Sequence, residues 1–288
     1  MRTSVDCVFC FFRQTFDSLR AAGVENGRME EVAREVAGLV SRFDFEGTPV
    51  SISRDLHRII RNALGVDDPF YEHKRRYNRL LLGMYPQLKE MVEKSADPFD
   101  TAARLAIAGN VIDFGAKGGL TEKEVLQAID TALHAHLEGD PAQLKAAVAK
   151  AKRILYLADN AGEIILDRLL IEQMPREKVT LAVRGGPTLN DVLMEDAQEV
   201  GLTRIVKVIS NGVDAPGTLI DEAPEEMKSA FAEADLVVSK GQGNYETVAP
   251  GPGRTVFYLL KVKCEVIAKD VGCPIGTLVM RAAGALPA

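Results

Sequence analysis

The chain has 288 residues, 47% of them hydrophobic and 26% charged, with a formal net charge of −6. That composition is ordinary for a globular protein, and the length is near the size at which a single core stops growing. A negative balance with no block of five like charges argues against nucleic acid or an anionic membrane as the main partner, and four cysteines in so long a chain make no disulfide framework, which points to a reducing cytoplasm.

No apolar run approaches the ~20 residues that a membrane span needs. The opening MRTSVDCVFCFFRQTFDSLR carries Asp6, Arg13 and Asp17 and has no small-residue cleavage pattern, so it is expected to belong to the fold rather than to a signal peptide. Residues 1–150 read as helical throughout. Apolar residues recur at three and four spacing over 9–21, 29–43, 50–64, 70–82 and 99–112. Gly47-Thr48-Pro49, Asp97-Pro98, Gly118-Gly119 and Gly139-Asp140-Pro141 separate these runs, and Thr121 with Glu124 forms a capping box.

The pattern changes after Lys152. Short β-prone runs at 154–158, 179–183, 205–209, 236–239 and 255–260 alternate with helix patterns at 163–173, 189–200 and 224–234. Residues 262–267 suit a further strand or a turn of helix. Continuous apolar strands alternating with helices predict an α/β fold with a mostly parallel sheet covered on both faces. The expected organisation is a helical N-terminal subdomain over 1–150 and an α/β domain over 151–288.

Four strand ends in the second half carry polar clusters. The first holds Asp159, Asn160 and Glu163; the second runs from Arg184 to Asp191; the third holds Asn211 and Asp214; the fourth, KGQGNYE, holds Lys240, Gly241 and Asn244. In a parallel sheet such ends share one edge, where open α/β sheets bind ligands. Turn chemistry alone accounts for any one of them. Four together point to a site.

Asp159, Asn160 and Asp191 supply three hard oxygen donors, suited to Mg²⁺ or Mn²⁺. Two carboxylates and one divalent ion sum to zero. An arriving phosphate dianion then needs cations, which Lys240 and Arg184 could provide, with backbone amides of the Lys240–Gly243 turn as further donors. Asn110 and Asp113 either close the pocket from the helical half or form a polar helix end; both readings stay open. Cys7 and Cys10 form a CxxC on a helix. A lone pair of this kind is weak evidence for zinc, and buried thiols acting as small hydrophobes are the simpler expectation.

The segments ADNAGE (158–163), VRGGPTLNDV (183–192), SNGVDAPGT (210–218), KGQGNYE (240–246) and AGNVIDFG (108–115) closely resemble the motifs of the damage-control phosphatase family, which includes the proteins called acidic-residue methyltransferase-like. CVFCFFRQ (7–14) resembles the CxxC opening of its prokaryotic branch, and the resemblance spans almost the whole chain. It implies a Rossmann-like three-layer α/β/α sandwich beneath a helical N-terminal region. It also implies a metal-dependent phosphatase of small phosphorylated metabolites, such as sugar phosphates, phosphopantetheine derivatives and damaged phosphoesters. One divalent ion (Mg, Mn, Co or Ni) falls to Asp159, Asn160 and Asp191, the phosphate-contacting lysine to Lys240, and a pocket wall to Asn110 and Asp113.

The expected chemistry is in-line attack by a metal-activated water. Asp191 orients that water, Glu163 is a weaker candidate base, and Lys240 offsets charge on phosphorus. Arg184, Asn211, Asp214, Gly241 and Asn244 contact the substrate. The competing readings are an S-adenosylmethionine-dependent carboxyl methyltransferase, which no glycine-rich cofactor loop supports, and a non-catalytic metal or metabolite binder.

Overall fold

The computed structural model describes residues 1–111 and 121–284. Seven strands form one sheet: β1 (Leu137–Gly139), β2 (Ile154–Leu157), β3 (Val179–Val183), β4 (Lys207–Ser210), β5 (Leu236–Lys240), β6 (Thr255–Lys261) and β7 (Leu278–Ala283). Their order is β1-β7-β6-β5-β2-β3-β4. All neighbours pair in parallel except β6 and β7, which are antiparallel. From β2 the chain winds out through β3 and β4, then returns to the other side of β2 with β5 and β6. That reversal leaves a crevice beyond the carboxyl ends of β2, β3 and β5.

Helices α1 (Val5–Ala21), α2 (Asn26–Val40) and α3 (Pro49–Leu64) share a small core of Phe11, Leu19, Val32, Val36, Ile52, Leu56 and Ile60. The helices α4 (Tyr71–Lys94), α5 (Pro98–Val111), α6 (Glu122–His134), α7 (Pro141–Lys150), α8 (Glu163–Ile171) and α9 (Met194–Glu199) contribute to a common core against one face of the sheet. Helices α10 (Glu225–Glu233), α11 (Gly241–Thr247) and α12 (Glu265–Val271) lie on the other side, where Met227 and Ile267 join the second core. Side chains of successive strand residues point to opposite faces. Thus Ile154 and Tyr156 enter the first core and Leu155 and Leu157 the second. Both faces being covered is why β2 is apolar at every position.

The capping box at Thr121 and Glu124 is present. Among the described residues no helix is long and apolar enough to cross a membrane.

The structure departs from the sequence expectations at β1, at β7 and over residues 189–200, and it decides the open reading of 262–267. The stretch read as helical throughout contains β1, three residues long, which pairs with β7. Neither strand has a clean alternation, and both owe their conformation to partners far away in the chain. Residues 189–200 are helical only over Met194–Glu199, because Leu189 adopts φ +44° and turns the backbone back toward β2. The ambiguous 262–267 segment resolves into a loop followed by α12.

Candidate functional site

Backbone pairing assembles the site. Val192 N–H donates to Asp159 O at 2.9 Å and Ala161 N–H to Asn190 O at 2.9 Å, so the loops after β2 and β3 are zipped together and Asn160 bridges Asp191. This sets Asp159, Asn160 and Asp191 side by side on a cleft of about 850 Å³. Its far wall comes from α1 and α3, with Phe9, Arg13 and Val50, and from the start of α12, with Lys263 and Cys264. Helix α11 begins directly beneath Asp159. A Cβ on Gly241, whose φ is +77°, would lie 2.0 Å from Asp159 Oδ2, so only glycine lets the helix start there.

Arg184 is buried between the two carboxylates. Its Nε donates to Asp191 Oδ2 at 2.6 Å, its Nη2 to Asp159 Oδ1 at 3.3 Å and its Nη1 to Asn244 Oδ1 at 3.1 Å. Asn244 in turn donates to the carbonyls of Ala158 and Lys240, tying the loop after β2 to α11. Asn110, on α5, donates to Asp159 Oδ2 at 2.9 Å. Asn160 Nδ2 lies 2.7 Å from the same oxygen and 2.9 Å from Glu163 Oε2.

Lys240 does not face the cleft. Its ammonium is fully buried, donating to Glu163 Oε1 at 2.7 Å, to Ala106 O at 2.8 Å and to Asp167 Oδ1, which also accepts from the Tyr156 hydroxyl at 2.7 Å. Burial alone would pull the Lys240 ammonium down, but Asp167 and Glu163 outweigh it and hold it well above the usual lysine range. Arg184 and Lys240, both expected to meet a phosphate, are thus already neutralised by carboxylates. Arg13, Lys263 and Lys269 are exposed cations that line the cleft, and of these it is Lys263 that acts on Asp159. Among the described residues its ammonium makes no ion pair, and it is close enough to draw the Asp159 carboxyl down.

The third strand end reaches the site through Pro216, which lines the cleft, and Thr218, whose hydroxyl donates to Asn244 Oδ1 at 2.8 Å, not through Asn211 or Asp214. Asn211 Oδ1 accepts from Val213 N–H and organises its own turn. Asp214 is taken by Arg58 (2.7 and 3.0 Å) and Arg61 (2.6 Å) of α3. Burial pushes its carboxyl up, but the two guanidinium groups prevail and set it at about 2. Asp113 lies outside the described residues.

The thiols depart from the buried pair expected. Cys10 is exposed and Cys7 half-buried, and both line the cleft with Cys264. Glu246 lines it too. Its Oε1 accepts from Gln242 at 3.0 Å, and its backbone carbonyl accepts from the amino terminus of Met1 at 2.7 Å. Burial raises this carboxyl to about 7.

The donor set suits a hard divalent cation. Among the described residues no three His, Cys, Asp or Glu side chains gather as a metal cluster; Asp159, Asp191 and the carboxamide of Asn160 supply oxygen instead. Four buried carboxylates (Asp159, Glu163, Asp167 and Asp191) are matched by two buried cations, Arg184 and Lys240. With all four ionised, their excess over the two cations would be two negative charges, the charge that one divalent ion would balance. Burial first, and then the negative charge of Asp159, push Asp191 up to about 7 in spite of Arg184; burial and Glu163 likewise raise Asp159. Repulsion of this kind is what a bound cation relieves.

The damage-control phosphatase ARMT1-like domain matches residues 3–279 of the chain. A damage-control phosphatase of Archaeoglobus fulgidus is 32% identical over 98% of this chain and 99% of its own length. This chain belongs to the damage-control phosphatase family. A second family relative, a damage-control phosphatase of Pyrococcus horikoshii, is 35% identical over 75% of each chain. The crystal structure of a DUF89 family protein from the same organism superposes with a TM-score of 0.87 at 30% identity, covering 97% of this chain and 98% of that one. The resemblance read from the motifs is the family found, and the fold is the mixed, mostly parallel α/β sandwich expected of it. Membership makes the chain a phosphatase by family.

Proposed function

We propose that this damage-control phosphatase hydrolyses phosphate monoesters of small metabolites with the help of one divalent ion. The observation that carries the reading is that Asp159 and Asp191 share a single guanidinium at the sheet's switch point, on a cleft that Lys263 also lines. Asp159, Asn160 and Asp191 are the residues that would hold the ion. When bound, the ion supplies charge neutralisation at the phosphate oxygens and lowers the pKa of water toward neutrality.

The protein's own groups do the rest. Arg184 holds Asp159 and Asp191 on one guanidinium and keeps their spacing as the substrate comes and goes. Asp191 uses only Oδ2 in this pairing, so Oδ1 remains to orient the attacking water. Lys263 takes the place first given to Lys240 and offsets charge on the phosphoryl oxygens. The cleft is far larger than a phosphate group, so it accepts the alcohol or sugar portion between α1, α3 and α12. No cysteine or serine nucleophile is required.

The test is a panel of phosphate monoesters assayed with metal-stripped protein, each of Mg²⁺, Mn²⁺, Co²⁺ and Ni²⁺ being restored in turn. Turnover should depend on the added ion and vanish in Asp159→Asn. Full turnover in chelator, or an Asp159→Asn variant as active as the parent, refutes the reading.

A further inference from the structure

The buried charges behind the cleft have a role that the hydrolytic reading leaves unassigned. Glu163 is fully buried and is not among the residues lining the cleft. Both its oxygens are engaged: Oε1 accepts from Lys240 at 2.7 Å, and Oε2 from Asn160 at 2.9 Å and Asn110 at 3.3 Å. A carboxylate so enclosed has no access to a substrate water.

Its effect falls on Asn160. The Asn160 nitrogen sits between Asp159 Oδ2 and Glu163 Oε2, both acceptors, so the carboxamide nitrogen must face them. The carboxamide oxygen is thereby turned the other way. Without Glu163 one of these two restraints is lost, and the amide is free to rotate and present N–H groups where an oxygen is needed.

Glu163 is itself fixed from behind. Lys240 holds Oε1; Asp167 holds Lys240; the Tyr156 hydroxyl holds Asp167. From above, α5 crosses the start of α8 so closely that a Cβ on Gly109 would lie 2.7 Å from Glu163 Cγ. These residues come from β2, α5, α8 and the end of β5, so several separate parts of the chain converge to hold one carboxylate.

We propose that Glu163 is a positioning residue. It locks the Asn160 carboxamide with its oxygen available as a metal ligand, and Tyr156, Asp167 and Lys240 serve as its support. The inference rests on the reading that Asp159, Asn160 and Asp191 hold a divalent ion, and it assigns no proton transfer to Glu163. Groups that orient metal ligands in this way cost about 10–100-fold in metal affinity when replaced.

The experiment measures Mn²⁺ binding to the metal-free full-length protein by titration calorimetry and electron paramagnetic resonance, for the parent, Glu163→Gln and Asp167→Asn. Thermal unfolding and the pH profile of kcat at saturating Mn²⁺ are recorded alongside. The expected result is a Mn²⁺ Kd about 10–100-fold higher in Glu163→Gln, a smaller rise in Asp167→Asn, and a kcat profile of unchanged shape. A parental Kd in Glu163→Gln overturns the inference, whatever the change in thermal stability. So does the loss of one limb of the kcat profile at unchanged Kd, which would make Glu163 a proton-transfer group. Should Glu163→Gln fail to fold, Asp167→Asn and Tyr156→Phe carry the test with the same criterion of raised Kd. A parent that takes up no Mn²⁺ refutes the metal-dependent function and this inference with it, whereas a parent that binds Mn²⁺ beside a variant that binds equally well refutes the inference alone.

Discussion

Replacing Glu246 by Gln should stabilise the protein, and only at neutral to alkaline pH. The carboxyl is buried at the cleft wall with Gln242 as its side-chain partner, and burial raises it from its ordinary value of 4.5 to about 7. In the unfolded chain it ionises near 4.5. Between pH 4.5 and 7 the native state therefore holds a proton that the unfolded state has released, and stability falls as pH rises through that window. Above pH 7 both states are ionised, and the native state carries the full cost of the buried charge. A difference of about 2.5 units at 1.36 kcal/mol each is about 3 kcal/mol. Glutamine keeps the shape and the contact with Gln242 without the charge. Urea denaturation of parent and Glu246→Gln should coincide near pH 4.5 and diverge to about 3 kcal/mol in favour of the variant by pH 8. With an unfolding entropy of about 2.1 cal/mol/K per residue, that is a rise in Tm of about 5 °C. A variant less stable than the parent at pH 8, or a difference independent of pH, would refute the reasoning and show that the carboxylate is stabilised by its surroundings.

Three other outcomes follow from the same geometry. Lys263→Ala should lower kcat/KM for phosphate monoesters about 10–100-fold, the range of a lost hydrogen bond to a charged group. Mn²⁺ affinity should not fall, because removing a cation beside Asp159 favours another; a parallel loss of Mn²⁺ binding by calorimetry would give Lys263 a structural role. Asp214→Asn should cost about 1 kcal/mol at pH 7, the shift of its carboxyl from 3.8 to about 2 by Arg58 and Arg61 being discounted because the pair is partly exposed to solvent. That contribution is present above pH 3.8 and fades as pH falls through about 2, so denaturation at pH 5 and pH 8 should give the same deficit; a deficit that grows with acidity contradicts the ion-pair account. Gly241→Ala places a Cβ 2.0 Å from Asp159 Oδ2 at a φ of +77°. It should cost at least about 1–2 kcal/mol in backbone strain and displace Asp159, detected as weakened Mn²⁺ binding; parental stability and binding would mean that α11 starts elsewhere.

Much of the architecture was legible in the chain itself, because local patterning reports local structure. The strands β2, β3, β5 and β6 stand out as apolar runs, and the clusters after β2, β3 and β5 mark the functional edge. Asp159, Asn160 and Asp191 could be nominated together because a parallel sheet brings consecutive strand ends to one side whatever the details of packing. Strands β1 and β7 were not legible, since a short or mixed strand is defined by the neighbour that pairs with it. The same limit applied to Asp191, whose loop has a helix-like pattern but is held open by backbone bonds to the loop after β2.

Charge pairing was decided by tertiary structure alone. Lys240 follows a strand end as Asp159 does, and sequence gives no reason to separate them. The fold buries one beneath α5 and α8 against Glu163 and Asp167, and leaves Lys263, an unremarked residue before α12, on the open cleft. Asp214, from an equally suggestive turn, is claimed by two arginines more than 150 positions earlier. Residue order specifies which groups are available and on which edge they emerge, whereas which cation meets which anion depends on distances across the fold, and electrostatic energy varies with those distances and with burial rather than with separation along the chain.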